Sequence, residues 1–167
     1  MVKTITRLFS FFLLLFILFS CGDGTPKGKS KLYSQLIKTE KGVVRGVKIN
    51  DNINQIKKQE KGKFLINESA NYLEYEYEIN EEAFIVVAYH FDAQGCSEIN
   101  IDTYFETEEK TKEALALYQQ HFSKKYGKPE ISDDLYLWYD NKKTMAIEVD
   151  FIDQVDGEIM LTIYANE

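Results

Sequence analysis

The chain is predicted to be an α+β protein: a tandem αβββ repeat forming a six-stranded antiparallel sheet with two helices packed on one face. Three observations predict this. The stretch YLEYEYEI (72–79) alternates apolar or aromatic residues with glutamates, the period of two that a half-buried strand requires. The run after Thr107 keeps apolar residues at helical spacing until Gly127 and Pro129. Finally, AYHFDAQGCSEINIDTY (88–104) and EVDFIDQVDGEIMLTIY (148–164) share one layout: apolar strand, acidic glycine-bearing turn, strand ending in tyrosine.

The elements follow in order. Lys3 and Arg7 precede an apolar stretch from Leu8 to Phe19. That stretch is shorter than the roughly 20 residues a membrane-spanning helix needs, so residues 1–20 read as a secretory signal. Leu18-Phe19-Ser20-Cys21 resembles a bacterial lipobox, although Phe19 is bulkier than is usual there. The resemblance implies a diacylglyceryl group on Cys21 and a membrane anchor of two or three acyl chains, more than a single reversible one. Gly22 after the cysteine implies, by the enterobacterial sorting rule, the outer membrane of a Gram-negative envelope. Residues 21–32, with Gly and Lys recurring beside Ser30, Thr25 and Pro26, read as a flexible tether, and 33–167 as a single domain.

Within that domain, GVVRGVKI (42–49) reads as a short strand or extended lead-in. Asn50-Asp51-Asn52 offers capping oxygens to a short helix through Ile53 and Ile56. AFIVVAYHF (83–91) is apolar at both parities, as a strand covered on both faces would be. SEINIDTYF alternates again. Thr107 caps the second helix, Glu108 and Glu109 suit its positive end, and Leu115, Tyr118, Phe122 and Tyr126 form its apolar stripe. LYLWY, TMAIEVDF and EIMLTIY complete the strands, the last two joined through Val155-Asp156-Gly157-Glu158, a hairpin signal.

Charge narrows the function. The chain has 20 Lys+Arg against 27 Asp+Glu, and loss of Lys3 and Arg7 with the leader leaves 18 against 27, or −9. Phosphate backbones and anionic headgroups repel such a domain, so no nucleic-acid partner is expected. Cys96 has no partner for an intramolecular disulfide once Cys21 is acylated, and it reads as a small buried hydrophobe.

Catalytic signatures are absent: no G-x-S-x-G, no H-E-x-x-H, no C-x-x-C and no phosphate loop. His90 beside Asp92 or Asp102 would offer a base and its orienter, but no nucleophile or oxyanion site accompanies it, and His121 falls on the second helix. Asp150, Asp153, Asp156 and Glu158 raise a calcium reading, yet their spacing does not match an EF-type loop. No cofactor is expected.

VVRGVKINDNINQIKKQE, the KKYGKP helix end and the repeated helix-plus-meander layout resemble small bacterial α+β lipoproteins. Those resemble the β-lactamase-inhibitory-protein fold and the small accessory lipoprotein of the outer-membrane barrel-assembly machine. The resemblance spans most of 42–164 and implies protein binding through an exposed sheet face, without transferring any contact residue.

Alternation divides the sheet. Leu73, Tyr75, Tyr77, Ile99, Ile101, Ile147, Val149, Ile159, Leu161 and Ile163 are expected under the helices. Facing away are Glu74, Glu76, Glu78, Glu98, Asp102, Glu148 and Asp150, with Tyr72, Tyr136, Trp138 and Tyr164 among them. Acids interleaved with aromatics make a plausible partner-binding face. The expectation is a lipid-anchored, non-catalytic binding or assembly module with an envelope-protein partner. The competing readings are a calcium or small-ligand module and an envelope hydrolase.

Overall fold

The computed structural model describes residues 31–80, 83–153 and 157–166, with only the backbone of 151–153. The leader, Cys21, the tether up to residue 30 and Val155-Asp156 lie outside the described residues. Helices α1 (Lys31–Leu36) and α2 (Ile53–Gln59) precede four strands: β1 (Leu65–Ser69), β2 (Tyr72–Asn80), β3 (Ala83–Asp92) and β4 (Gly95–Tyr104). Helix α3 (Glu108–Tyr126) then leads to β5 (Glu130–Ser132), β6 (Leu135–Tyr139), β7 (Met145–Asp153) and β8 (Glu158–Ala165). Among the described residues no helix is long and apolar enough to cross a membrane.

The fold is α+β, and its antiparallel sheet has eight strands, not six, in the order β1-β2-β3-β4-β8-β7-β6-β5. Each half is a four-stranded meander preceded by helix, and the halves join where β4 pairs β8, Ile101 opposite Leu161. The two additional strands, LINES and EIS, are the outer edges. They lack the apolar alternation that marks a strand, because an edge strand over little core has little to bury.

Helix α1 is likewise additional. It begins at Lys31, and Leu32, Leu36 and the following Ile37 are buried, so the core starts within the segment read as tether. GVVRGVKI is not a strand: Arg45 (φ 55°) and Gly46 (φ 87°) turn the chain tightly, leaving one bridge between Val44 and Val47. Helix α2 has the expected start, with Asn52 and Gln55 forming a reciprocal capping box. Thr107 caps α3, and Gly127 (φ 87°) ends it. That helix buries Thr111, Ala114, Tyr118, His121 and Phe122 over the second meander.

All ten side chains expected under the helices are buried there. Trp138 joins them and corrects the expected face. Its register partner is Ile147, it is 1 % exposed, and its ring lies 5.6 Å from Phe122 while Nε1–H donates to Ser123 Oγ at 3.3 Å. Tyr136 shares that side, paired with Val149 and half-buried against the core. LYLWY carries large residues at both parities, so alternation alone does not say which set turns inward. Strand β3 is corrected too: Ile85, Val87 and Tyr89 are buried under helix, whereas Phe84 on the other face is 39 % exposed.

One buried carboxylate ties the first half together. Glu60, just after α2, accepts from Arg45 Nε (2.8 Å) and Nη2 (3.0 Å), Tyr77 OH (2.6 Å), Tyr89 OH (2.7 Å) and Lys38 Nζ (2.9 Å). Burial alone would raise its pKa. The hydrogen bonds and charge of Arg45, with Lys38 and Tyr77, overcome that and hold it at about 2. Burial likewise disfavours the charged form of Arg45, but the Glu60 carboxylate outweighs it and raises the guanidinium pKa above its ordinary value.

Glu60→Gln leaves the Arg45 guanidinium buried without its counter-charge and should cost about 3–5 kcal/mol in urea denaturation. A depressed carboxylate pKa contributes stability above its ordinary 4.5 that is lost as pH falls toward about 2. Wild type should therefore lose stability across that window, and Glu60→Gln should lack that part of the slope. Trp138→Ala, emptying a core position, should cost about 3–5 kcal/mol in thermal denaturation; an unchanged midpoint would place the indole outside the core.

Candidate functional site: the open face of the sheet

The face opposite the helices is built by cross-strand register. Tyr72, His90, Glu98, Tyr164, Ala146 and Tyr139 form one row across β2, β3, β4, β8, β7 and β6. The next row is Glu74, Ala88, Asn100, Thr162, Glu148 and Leu137, and the third is Glu76, Val86, Asp102, Met160, Asp150 and Leu135. Glu78, Phe84, Tyr104 and Glu158 begin a fourth. None of these residues belongs to the core cluster.

The two halves lay down the same chemistry in different strands. In the first, the outer strand β2 carries glutamates and the inner strand β3 carries Phe84, Val86 and Ala88. In the second, the inner strand β7 carries Glu148 and Asp150 and the outer strand β6 carries Leu135, Leu137 and Tyr139. At the seam, Glu98 and Tyr104 of β4 stand where Glu158 and Tyr164 stand in β8, and each glutamate faces the other strand's tyrosine.

Charge on this face is one-sided. The eight strands contain no lysine or arginine. Among the described residues none of Glu74, Glu76, Glu78, Glu98, Asp102, Glu148, Asp150 and Glu158 has a cationic partner. The basic side chains sit on helices, turns and loops; Lys143, in the β6–β7 turn, reaches only the margin, 5.3 Å from the Tyr139 ring.

Phenols lie among these acids, and one of them is hydrogen-bonded to a carboxylate. Tyr164 OH donates to Glu148 Oε1 at 2.6 Å, which, with burial and the Glu148 charge, pushes its pKa up to about 12. Burial followed by the Glu74 charge raises the Tyr72 pKa, and burial followed by the Glu158 charge raises that of Tyr104. Phe84 and Tyr104 stack at 4.6 Å, an apolar patch between those acids.

Asp102 differs from its neighbours. Its Oδ1 is buried and has no hydrogen-bond partner, between Val86 and Met160 in the register. Burial, then the charges of Glu158 and Glu74, raise its pKa.

The structure thus brings Glu74, Glu76, Glu98, Asp102, Glu148, Asp150 and Tyr164 onto one face and sets Tyr136 and Trp138 on the other. Phe84, Tyr104, Met160 and Glu158 belong to the face and are not among the residues the sequence assigns to it. The alternation of AFIVVAYHF was the available signal for Phe84, masked by apolar residues at both parities. From the sequence, Glu158 falls in the β7–β8 hairpin turn and in the acidic run that raises the calcium reading.

The other chemical candidates are dispersed. The His90 ring lies 4.9 Å from that of Tyr72, tilted against it, and His90 faces Glu98. The Asp92 carboxylate is occupied by the turn N–H groups of Gln94 (2.7 Å) and Gly95 (3.2 Å), and Asp102 stands two rows from His90. His121 lies on the helix side with Nε2 3.1 Å from the Val43 carbonyl, and burial lowers its pKa. Cys96 is fully buried, and burial pushes its thiol up to about 12, against the pull of a backbone hydrogen bond at Glu98, so little reactive thiolate forms. Among the described residues no three His, Cys, Asp or Glu side chains are grouped to hold a metal ion; Asp156 lies outside them.

Comparison with protein-family models, with curated proteins and with solved structures finds no match, so the reading of this face rests on its own geometry.

Proposed function

We propose that this protein is a lipid-anchored module of the bacterial cell envelope, held through Cys21 at the outer membrane, that binds a protein partner across the open sheet face and performs no chemistry of its own. The observation that carries the reading is the combination on that face. Unpaired carboxylates give charge for steering, and exposed or half-exposed aromatics give area for desolvated contact. Without a counter-charge inside the sheet, those carboxylates repel one another in the free protein, and a complementary partner relieves the repulsion. The lipid anchor fits it as well, because confinement to a membrane surface raises the effective concentration of a membrane-resident partner.

Two measurements test it. Cys21→Ser should leave the precursor uncleaved and abolish incorporation of labelled palmitate; normally processed protein that still partitions into detergent would remove the anchor from the proposal. For the face, a photo-crosslinking residue at Phe84 should capture a partner in native membranes, and the same residue at Gln120 on α3 should not. Combining Glu148→Lys with Asp150→Lys should slow association with the captured partner and weaken its salt dependence. Capture from Gln120 alone would move the interface to the helix side.

A further inference from the structure

We infer that Asp102 is the anchor point of the open face and that the partner presents an arginine to it, on a basic polypeptide segment laid across the sheet. The inference rests on the binding role proposed for this face.

Four observations carry it. The first is position: Asp102 lies on β4, beside the β4–β8 seam, with four strands on either side of that seam, so a segment crossing the sheet passes over it. The second is the orphaned oxygen. A buried carboxylate oxygen without a donor is costly, and the chain supplies its own contrast: Asp102 is only half-buried yet its covered Oδ1 has no donor, whereas the deeply buried Glu60 has all five of its donors supplied by the fold. The third is the charge balance: the strands offer no lysine or arginine to satisfy it.

The fourth is the character of the walls. Val86 and Met160 flank Asp102 across the strands, and Tyr104 follows two residues on along the same face. A guanidinium is planar and weakly hydrated, stacks on aromatic rings and gives two parallel N–H bonds to a carboxylate. An ammonium holds its water more tightly and cannot use the aromatic wall in the same way, so the site favours arginine over lysine. Burial of the carboxylate, with Glu158 and Glu74 nearby, raises its pKa in the free protein, and an arriving guanidinium reverses that shift.

An anchor of this kind costs the free protein stability and returns it on binding, which sets it apart from a structural acid. The test uses the full chain in neutral detergent and a twelve-residue peptide of alternating arginine and threonine, compared with a lysine–threonine counterpart. Asp102→Asn, which keeps shape and removes charge, should raise the melting temperature and weaken the arginine peptide by about tenfold or more, mainly through faster dissociation. Glu109→Gln, removing one charge from exposed α3, should leave affinity within about twofold. The lysine peptide should bind wild type several-fold more weakly than the arginine peptide.

Unchanged affinity in Asp102→Asn, or a lowered melting temperature, overturns the anchor role. Equal binding of both peptides overturns the preference for arginine, and an identical shift of the Asp102 carboxyl resonance by millimolar Ca²⁺ alone makes the site a cation site. If any of these occurs while crosslinking from Phe84 still captures a partner, the binding face stands and only its anchor falls. If the crosslink fails as well, the reading of the face falls with it.

Discussion

The buried Glu60 carboxylate is the interaction on which the first half of the molecule depends. Its donors come from the α1 exit (Lys38), the Arg45 turn, β2 (Tyr77) and β3 (Tyr89), so it ties two irregular segments to two strands of the sheet. Arg45 adopts a left-handed backbone conformation, its guanidinium carbon lies 4.5 Å from the centre of the Tyr77 ring, and its N–H bonds the Ile37 carbonyl. Such an arrangement is costly unless every group is satisfied, and here it is. The return is specificity: α1 and α2 are each too short to be stable alone, and the network holds them to the sheet in one place.

The second half is held differently. Its single long helix carries a buried aromatic ridge, Tyr118 stacked on Phe122 at 6.1 Å and Phe122 against Trp138 at 5.6 Å, with a cap and complementary charges at both ends. One half is therefore fastened by a polar network and the other by apolar packing. The common β4–β8 seam joins them into one sheet. Confining the cations to helices, turns and loops leaves the opposite face acidic, giving the molecule a charge asymmetry able to orient an approaching partner before contact.

Much of this was legible residue by residue. Glutamate at every second position of YLEYEYEI identified both the strand and its outward side, because a carboxylate is not buried without a partner. Asn52, Thr107 and Gly127 marked helix boundaries by chemistry that acts within a few residues. Glu148 and Asp150, alternating with Ile147 and Val149, were assigned to the open face for the same reason. The short outer strands, helix α1 and the Arg45 turn were not legible, since none of them has enough periodic apolar residues to stand out.

By itself the sequence determined the fold class, the two meanders, the alternation of faces and the excess of acid, all of which depend on local periodicity and on the cost of burying charge. Only the tertiary structure decided three further features. It placed Trp138 beneath α3, where the helix's Phe122 and Ser123 select one of two equally apolar parities of LYLWY. It gave Glu60 five donors drawn from four separate segments and gave none to the Asp102 Oδ1. Whether a carboxylate is satisfied depends on which distant groups reach it, and that follows from strand order and helix placement, which no local pattern encodes.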